Sequence, residues 1–368
     1  MNQTQVSVVT AYESSRENRM FKQNSLVGSH AGNAHWLEPL QFLYQKGLEQ
    51  SIKFDTSDVV PIQKADIVLF FDFPLPFKEI ESLRRQSKAA FILLIVESPL
   101  NRSYVFDPRN HVLFDAIVTY NDKLVDGRRY FSYKLPLSHP KINQNNEVSY
   151  NARRVASLIS TNRDMSLRMR LRYLKKAIRA GWKYSIYQVL EDLAFSKELY
   201  SERRKIADTF VSLGYENDLD VFGQYWDEHP CSRGVLNENK LYLLQKYRFN
   251  FCYENCLNDV GYISEKIFDA LYSNTVPIYL GNTSISKFVP SECFVDAKEF
   301  KSAYDLVRFT KEASEATWKK YILAGDTFLK GSKLTPFLPE AYTKNILEVI
   351  RRFHRQSNEA NVRESAHV

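Results

Sequence analysis

The chain has 368 residues, 44% of them apolar and 14% aromatic, with a formal net charge of +7. That is enough to bury two cores of ordinary size, and it excludes a disordered or low-complexity chain. The mild basic excess is compatible with a phosphate-bearing ligand, nucleic acid or an anionic membrane and selects none of them.

In chain order, residues 6–12 (VSVVTAY) read as a strand and 35–50 as a helix with a glycine near its end. Residues 65–73 (ADIVLFFDF) form a near-continuous apolar run, the pattern of a buried parallel strand. A charged helix is predicted over 78–88, then buried strands at 90–97 and 115–121. This alternation predicts an open parallel α/β sheet. The text turns polar over 136–151, and a domain boundary is placed there. The expected division is 1–150, 151–335 and a tail of 336–368. The second series has a strand at 155–161, a helix near 169–181, a short strand at 216–223, a helix running into a strand over 240–255, a strand at 275–281 and helices over 302–330. Residues 343–356 (TKNILEVIRRFHRQ) predict a basic amphipathic helix, docked on the body of the protein or lying on a membrane surface.

The cysteines, Cys231, Cys252, Cys256 and Cys293, form no C-x-x-C pair, and no histidine completes a zinc spacing, so they read as reduced, packed thiols. The N-terminal text lacks a secretory pattern, and no apolar run approaches the roughly 20 residues of a membrane span. The expectation is a cytoplasmic protein, or one peripheral on the inner membrane surface. Nucleic-acid binding is disfavoured, because no zinc-finger, KH-type or RNP-like stretch occurs.

The stretch with most chemistry is YENCLNDVGYISEKIFDALYSNTVPIYLG, residues 253–281. Ser264 reads as a helix cap, yet Lys266 falls in the first turn, where the helix dipole disfavours a cation. A helix start after a strand end is an anion site in parallel α/β folds. Lys266 there would add a full charge against a diphosphate, and Glu265 could accept from sugar hydroxyls.

This stretch resembles the signature of the α1,3/α1,4-fucosyltransferases, glycosyltransferase family 10. Tyr247, Phe249, Glu254, Asn255, Tyr262, Glu265, Lys266, Val276, Pro277 and Gly281 match, with Ser264 in place of the usual threonine. Weaker similarity covers "ESP" at Glu97–Pro99, 160–177 and "LDVFG". The resemblance implies a GT-B fold, two Rossmann-like domains facing each other across a cleft, with the nucleotide held by the second. It implies inverting transfer of L-fucose from GDP-fucose to O3 or O4 of a glycan acceptor such as a cell-surface polysaccharide intermediate. The alternative is a GT-B enzyme with another GDP-sugar donor; a catalytically dead lectin-like relative is disfavoured because Glu97, Glu265 and Lys266 are all present.

Under the resemblance Glu97 is the general base. Lys266 and an arginine hold the diphosphate; Arg168 is the best match, with Arg163 and Arg170 close in register. Asn255, Tyr262 and Glu265 complete the donor site, and Glu254 either joins it or braces the loop. No metal or cofactor is required, although non-essential stimulation by Mn or Mg is left open. Asp218 and Asp220 form a D-x-D, which is discounted because two carboxylates alone make a poor magnesium cage.

Overall fold

The computed structural model describes residues 3–22, 37–138, 148–163, 166–183, 189–190 and 197–365, with backbone alone at 173 and 356–365. Residues 35–36 of the first predicted helix and much of the polar 136–151 text lie outside them.

The first sheet takes β1 (Thr4–Val9), β2 (Ile52–Thr56), β3 (Ile67–Phe71), β4 (Ala90–Leu94), β5 (Ala116–Thr119) and β6 (Tyr130–Ser132), all parallel, in the order β2-β1-β3-β4-β5-β6. Helices α1 (Leu37–Leu48) and α2 (Phe77–Gln86) connect the early strands. Every residue of β3 and β4 is buried, because a parallel sheet is covered on both faces.

The second sheet takes β7 (Arg154–Ile159), β8 (Leu219–Phe222), β9 (Tyr247–Asn258), β10 (Val276–Asn282) and β11 (Val295–Asp296) in the parallel order β11-β10-β9-β7-β8. Between β7 and β8 run α3 (Leu167–Arg179) and α4 (Tyr200–Ser212). Helix α5 (Lys240–Leu244) leads into β9, α6 (Lys266–Tyr272) joins β9 to β10, and α7 (Ala303–Glu312) and α8 (Glu315–Lys330) follow. The strand period of two divides β9. Phe249, Phe251 and Tyr253 enter one core with Ile206 and Phe210 of α4, while Cys252 enters another with Ile267 and Phe268 of α6. Glu254 follows Cys252 on that second face, which aims it at the loop before α6.

The last helix, α9 (Pro339–Ser365), docks on the first lobe, the first of the two placements expected for this segment. Tyr342, Ile346, Leu347, Val349 and Ile350 belong to the same core as β3, β4 and β5. The Asn345 side chain donates to Ser132 O at 3.2 Å, and His354 meets the Thr4 hydroxyl at 3.1 Å. The apolar face of this helix is therefore a wall of the first lobe and is not available to lipid. No described helix is long and apolar enough to cross a membrane.

Side chains also join the lobes. The rings of Tyr120, after β5, and Tyr262, after β9, meet edge to face with centroids 5.5 Å apart. Gly261 has φ +85°, and a Cβ there would lie 2.5 Å from Tyr120 O, so only glycine lets the two backbones approach this closely. Lys123 pairs with Asp259 across the same seam.

Candidate functional site

Strand ends from both lobes converge here. On the first lobe, β4 runs out at Ile95–Val96–Glu97. The carboxylate of Glu97 is gripped at both oxygens, by the Tyr12 hydroxyl on Oε1 at 3.1 Å and by Asn101 Nδ2 on Oε2 at 3.0 Å. Beneath it lies Asp72, which follows β3, is buried and has φ +54°. Its Oδ1 accepts from Val96 N at 2.9 Å and Glu97 N at 3.3 Å, which fixes the peptide that carries the acid. Burial pushes the Asp72 carboxyl up to about 7, against the pull of Arg102 and the two N–H groups. Desolvation, then the charges of Glu97 and Asp72, push the Tyr12 phenol far above its ordinary value, so it stays a donor.

From Asn101 the network crosses the cleft, where Arg163 Nη1 lies 3.5 Å from Asn101 Oδ1. Arg163 follows β7 and its guanidinium sits 5.4 Å from the centroid of Tyr200, the first residue of α4. Arg203 also lies over that ring, 4.5 Å from its centroid. Arg203 is 3% exposed. It donates to Ser160 Oγ, to Tyr253 O and Glu254 O at 2.7 Å, and to Asn255 Oδ1 at 3.1 Å. It thus binds the ends of β7 and β9 to α4, as a rigid five-donor fork can.

The loop before α6 is held from below. Glu254 is 0% exposed; its Oε1 accepts from Ser264 N and its Oε2 from Ser264 Oγ, each at 2.7 Å, with Lys266 Nζ 3.5 Å away. Gly281 is required here, because a Cβ would lie 2.4 Å from Glu254 Cγ. Ser264 is a weaker cap than expected: its hydroxyl is committed to Glu254, leaving Lys266 N at 3.5 Å. Lys266 Nζ rests 3.0 Å from Ser264 Oγ with its head partly exposed. Glu265 projects outward, its side chain 52% exposed. Desolvation raises the Glu265 carboxyl, but Lys266 and Lys240 outweigh it and bring it down to about 2. Lys240, at the start of α5, also pairs with Asp269 at 2.6 Å.

The expected residues therefore separate into groups. Glu97 joins the network that reaches Arg163 of the other lobe, Glu265 and Lys266 stand at the start of α6, and Asn255 is held by Arg203. Glu254 takes the bracing alternative, since both of its oxygens are spent on the loop. Tyr262 is buried as packing against Tyr120 and not as an open ring; burial, then Glu254, Glu265 and Glu97, raises its phenol. Arg168 is exposed on α3 and Arg170 is buried on the same helix, whereas Arg163 reaches the cleft. Sequence reasoning missed Arg203, Lys240 and Tyr12. Arg203 and Lys240 had a legible signal, charges three residues from an aromatic or at a capped helix start; Tyr12 had none.

Asp218 pairs with Lys311 at 2.5 Å, and Asp220 with Arg233 at 2.7 Å and the Tyr247 hydroxyl at 2.7 Å. The D-x-D is thus neutralised by its own neighbours. Among the described residues no three His, Cys, Asp or Glu side chains group in a way that could hold a metal ion.

Residues 194–326 match the model of the glycosyltransferase family 10 (fucosyltransferase) C-terminal region. Arg203, Asn255, Glu265 and Lys266 fall inside that segment; Glu97, Arg163 and Arg168 fall outside it. The chain is 39% identical over 74 residues to alpha-(1,3)-fucosyltransferase FucT of Helicobacter pylori, which is 20% of this chain and 15% of that protein. It is 31% identical over 106 residues to 3-galactosyl-N-acetylglucosaminide 4-alpha-L-fucosyltransferase FUT3 of Homo sapiens, 28% of this chain and 27% of the other. These matches span well under a third of each relative. Among solved structures, an alpha1,3-fucosyltransferase superposes with a TM-score of 0.53 at 17% identity over 97% of this chain and 90% of its own. An alpha1,3-fucosyltransferase with GDP gives 0.51 at 16% identity, over 87% and 81%. At that identity the likeness shows the GT-B fold, two Rossmann-like lobes across a cleft.

Proposed function

We propose, from the match of residues 194–326 to the C-terminal region of glycosyltransferase family 10, that this chain is an inverting fucosyltransferase using GDP-fucose and a glycan acceptor. One observation carries the reading. The acid after β4 is connected through Asn101 to Arg163 of the other lobe, whose lysine loop is braced by a buried glutamate.

The donor's diphosphate lies against Lys266 and Arg163, with Arg203 holding the strand ends that place them. Positive groups fixed before the reaction stabilise charge that develops on the leaving diphosphate. Glu97 takes the proton of the acceptor hydroxyl as that oxygen bonds to the fucose anomeric carbon. The bond from that carbon to the β-phosphate oxygen breaks, and GDP leaves carrying the electron pair. Glu265, kept ionised by Lys240 and Lys266, accepts from hydroxyls of the sugar. The acceptor enters from the first lobe, past Tyr12. A cavity of about 330 Å³ opens nearby between Thr10, Arg16, Asp58 and Glu79, at the small end of the ligand-pocket range. Transfer is to O3 or O4.

The test is transfer to a glycan array from GDP-fucose and, in parallel, from GDP-mannose. Transfer from GDP-fucose that Glu97→Gln abolishes supports the proposal. Equal or reversed donor preference replaces the donor, and undiminished transfer by Glu97→Gln removes the base.

A further inference from the structure

Helix α3 presents an apolar stripe that is exposed along much of its length. Leu167, Leu171, Leu174 and Ile178 stand at relative positions 0, 4, 7 and 11, which a helix gathers within an arc of about 60°. Leu167 is 48% exposed, Leu171 37% and Ile178 53%, and Leu174 is half-buried. Beside the stripe, on one flank, stand Arg168, Arg172, Lys175, Lys176 and Arg179, and the helix contains no acid.

The other flank of the stripe, away from these bases, fixes α3 to the body. Ala177 and Arg170 are buried, and just beyond the helix Trp182 stacks on Phe73 of the first lobe with centroids 4.0 Å apart. Ala180 O accepts from Phe77 N at 3.0 Å. The stripe is therefore held outward by a rigid attachment. It also lies outside the segment shared with family 10, residues 194–326.

We propose that α3 is the surface by which this protein docks on an anionic lipid membrane. A narrow Leu and Ile face with lysines and arginines along its edge, low overall hydrophobicity and no acid is the composition of a helix lying in a bilayer interface. Aliphatic side chains enter the acyl boundary while basic heads meet lipid phosphates. A protein partner is less well matched, because the stripe has no exposed aromatic anchor of the kind that dominates protein interfaces. The site is distinct from α9, whose apolar face is already buried.

The test is flotation of the full-length protein with phosphatidylcholine vesicles, with and without phosphatidylglycerol. Binding is expected only with the anionic lipid and weakens as salt rises. Replacing two of the three exposed apolar residues, Leu171→Glu with Ile178→Glu, is expected to weaken binding by tenfold or more with no change in thermal unfolding. Lys175→Ala and Arg179→Ala each lower it about fivefold. Arg351→Ala with Arg355→Ala, on α9, leaves it unchanged. Absence of flotation overturns the proposal, as does flotation that survives the double glutamate variant or depends on α9. Self-association that the same glutamate variant abolishes, without flotation, makes the stripe a contact between copies and also overturns it. No sugar nucleotide enters the assay, so failure of the donor assignment is separately visible.

Discussion

Tyr12 donates its phenol hydroxyl to Glu97 Oε1 at 3.1 Å, joining the segment after β1 to the acid at the end of β4. The ring of Tyr12 is 43% exposed, so one side chain both orients the acid and forms a wall for whatever approaches it. Tyr12→Phe keeps the wall and removes the donor. It is expected to lower kcat by about tenfold, within the range of one lost hydrogen bond to a charged group, and leave both KM values near wild type. Tyr12→Ala removes both and is expected to raise the acceptor KM as well, measured with the donor saturating. Equal effects of the two variants would show that the hydroxyl alone matters.

Asp72 makes stability depend on pH in an unusual direction. Its folded-state carboxyl titrates at about 7, against about 3.9 in an unfolded chain. Between those values the native state holds a proton that the unfolded state has lost, so stability falls as pH rises through the interval. Asp72→Asn keeps an acceptor for Val96 N and tolerates the positive φ. It is expected to be more stable than wild type above pH 7, by at most about 4 kcal/mol, and indistinguishable below pH 4. Urea midpoints across that range check both the sign and the window.

Glu254 is the brace of the lysine loop. Glu254→Ala strands the Ser264 donors and Lys266 without their partner and is expected to cost about 3–5 kcal/mol. Glu254→Gln, which preserves one acceptor, is expected to cost less. Gly281→Ala pushes the same carboxylate aside by sterics alone and is expected to weaken GDP binding along with stability. Calorimetric GDP titration beside chemical denaturation separates the two effects; a Gly281→Ala protein with unaltered GDP affinity would count against the brace.

The arginines can be ranked by GDP affinity. Arg163→Ala is expected to weaken GDP about tenfold, the loss of one charge-assisted contact. Arg168→Ala is expected to change it less than twofold, since that side chain is exposed on α3. Arg203→Ala removes four hydrogen bonds that hold strand ends together and is expected to lower the unfolding temperature as well as GDP affinity.

Strands β3 and β4 were legible because both of their faces are covered, which writes an unbroken apolar run into the text. Strand β2 (IKFDT) was not: it is the edge strand, and the charged Lys53 and Asp55 both serve structural pairs. The lysine loop was legible because its residues are close in sequence. What held it was half legible, since Glu254 is nearby but its burial depends on the face of β9 it occupies. Tyr12 was hidden because its role arises only when distant strand ends come together, whereas Arg203 carried only its spacing from Tyr200 as a signal. The tail helix read correctly as basic and amphipathic, yet periodicity gives a buried face without naming what buries it.

Because α9 returns to the lobe that β1 opened, the polypeptide passes between the lobes twice, once before β7 and once after α8. Paired pins constrain a door more than one pin does. Two crossings restrict rotation of one lobe on the other more than a single crossing would.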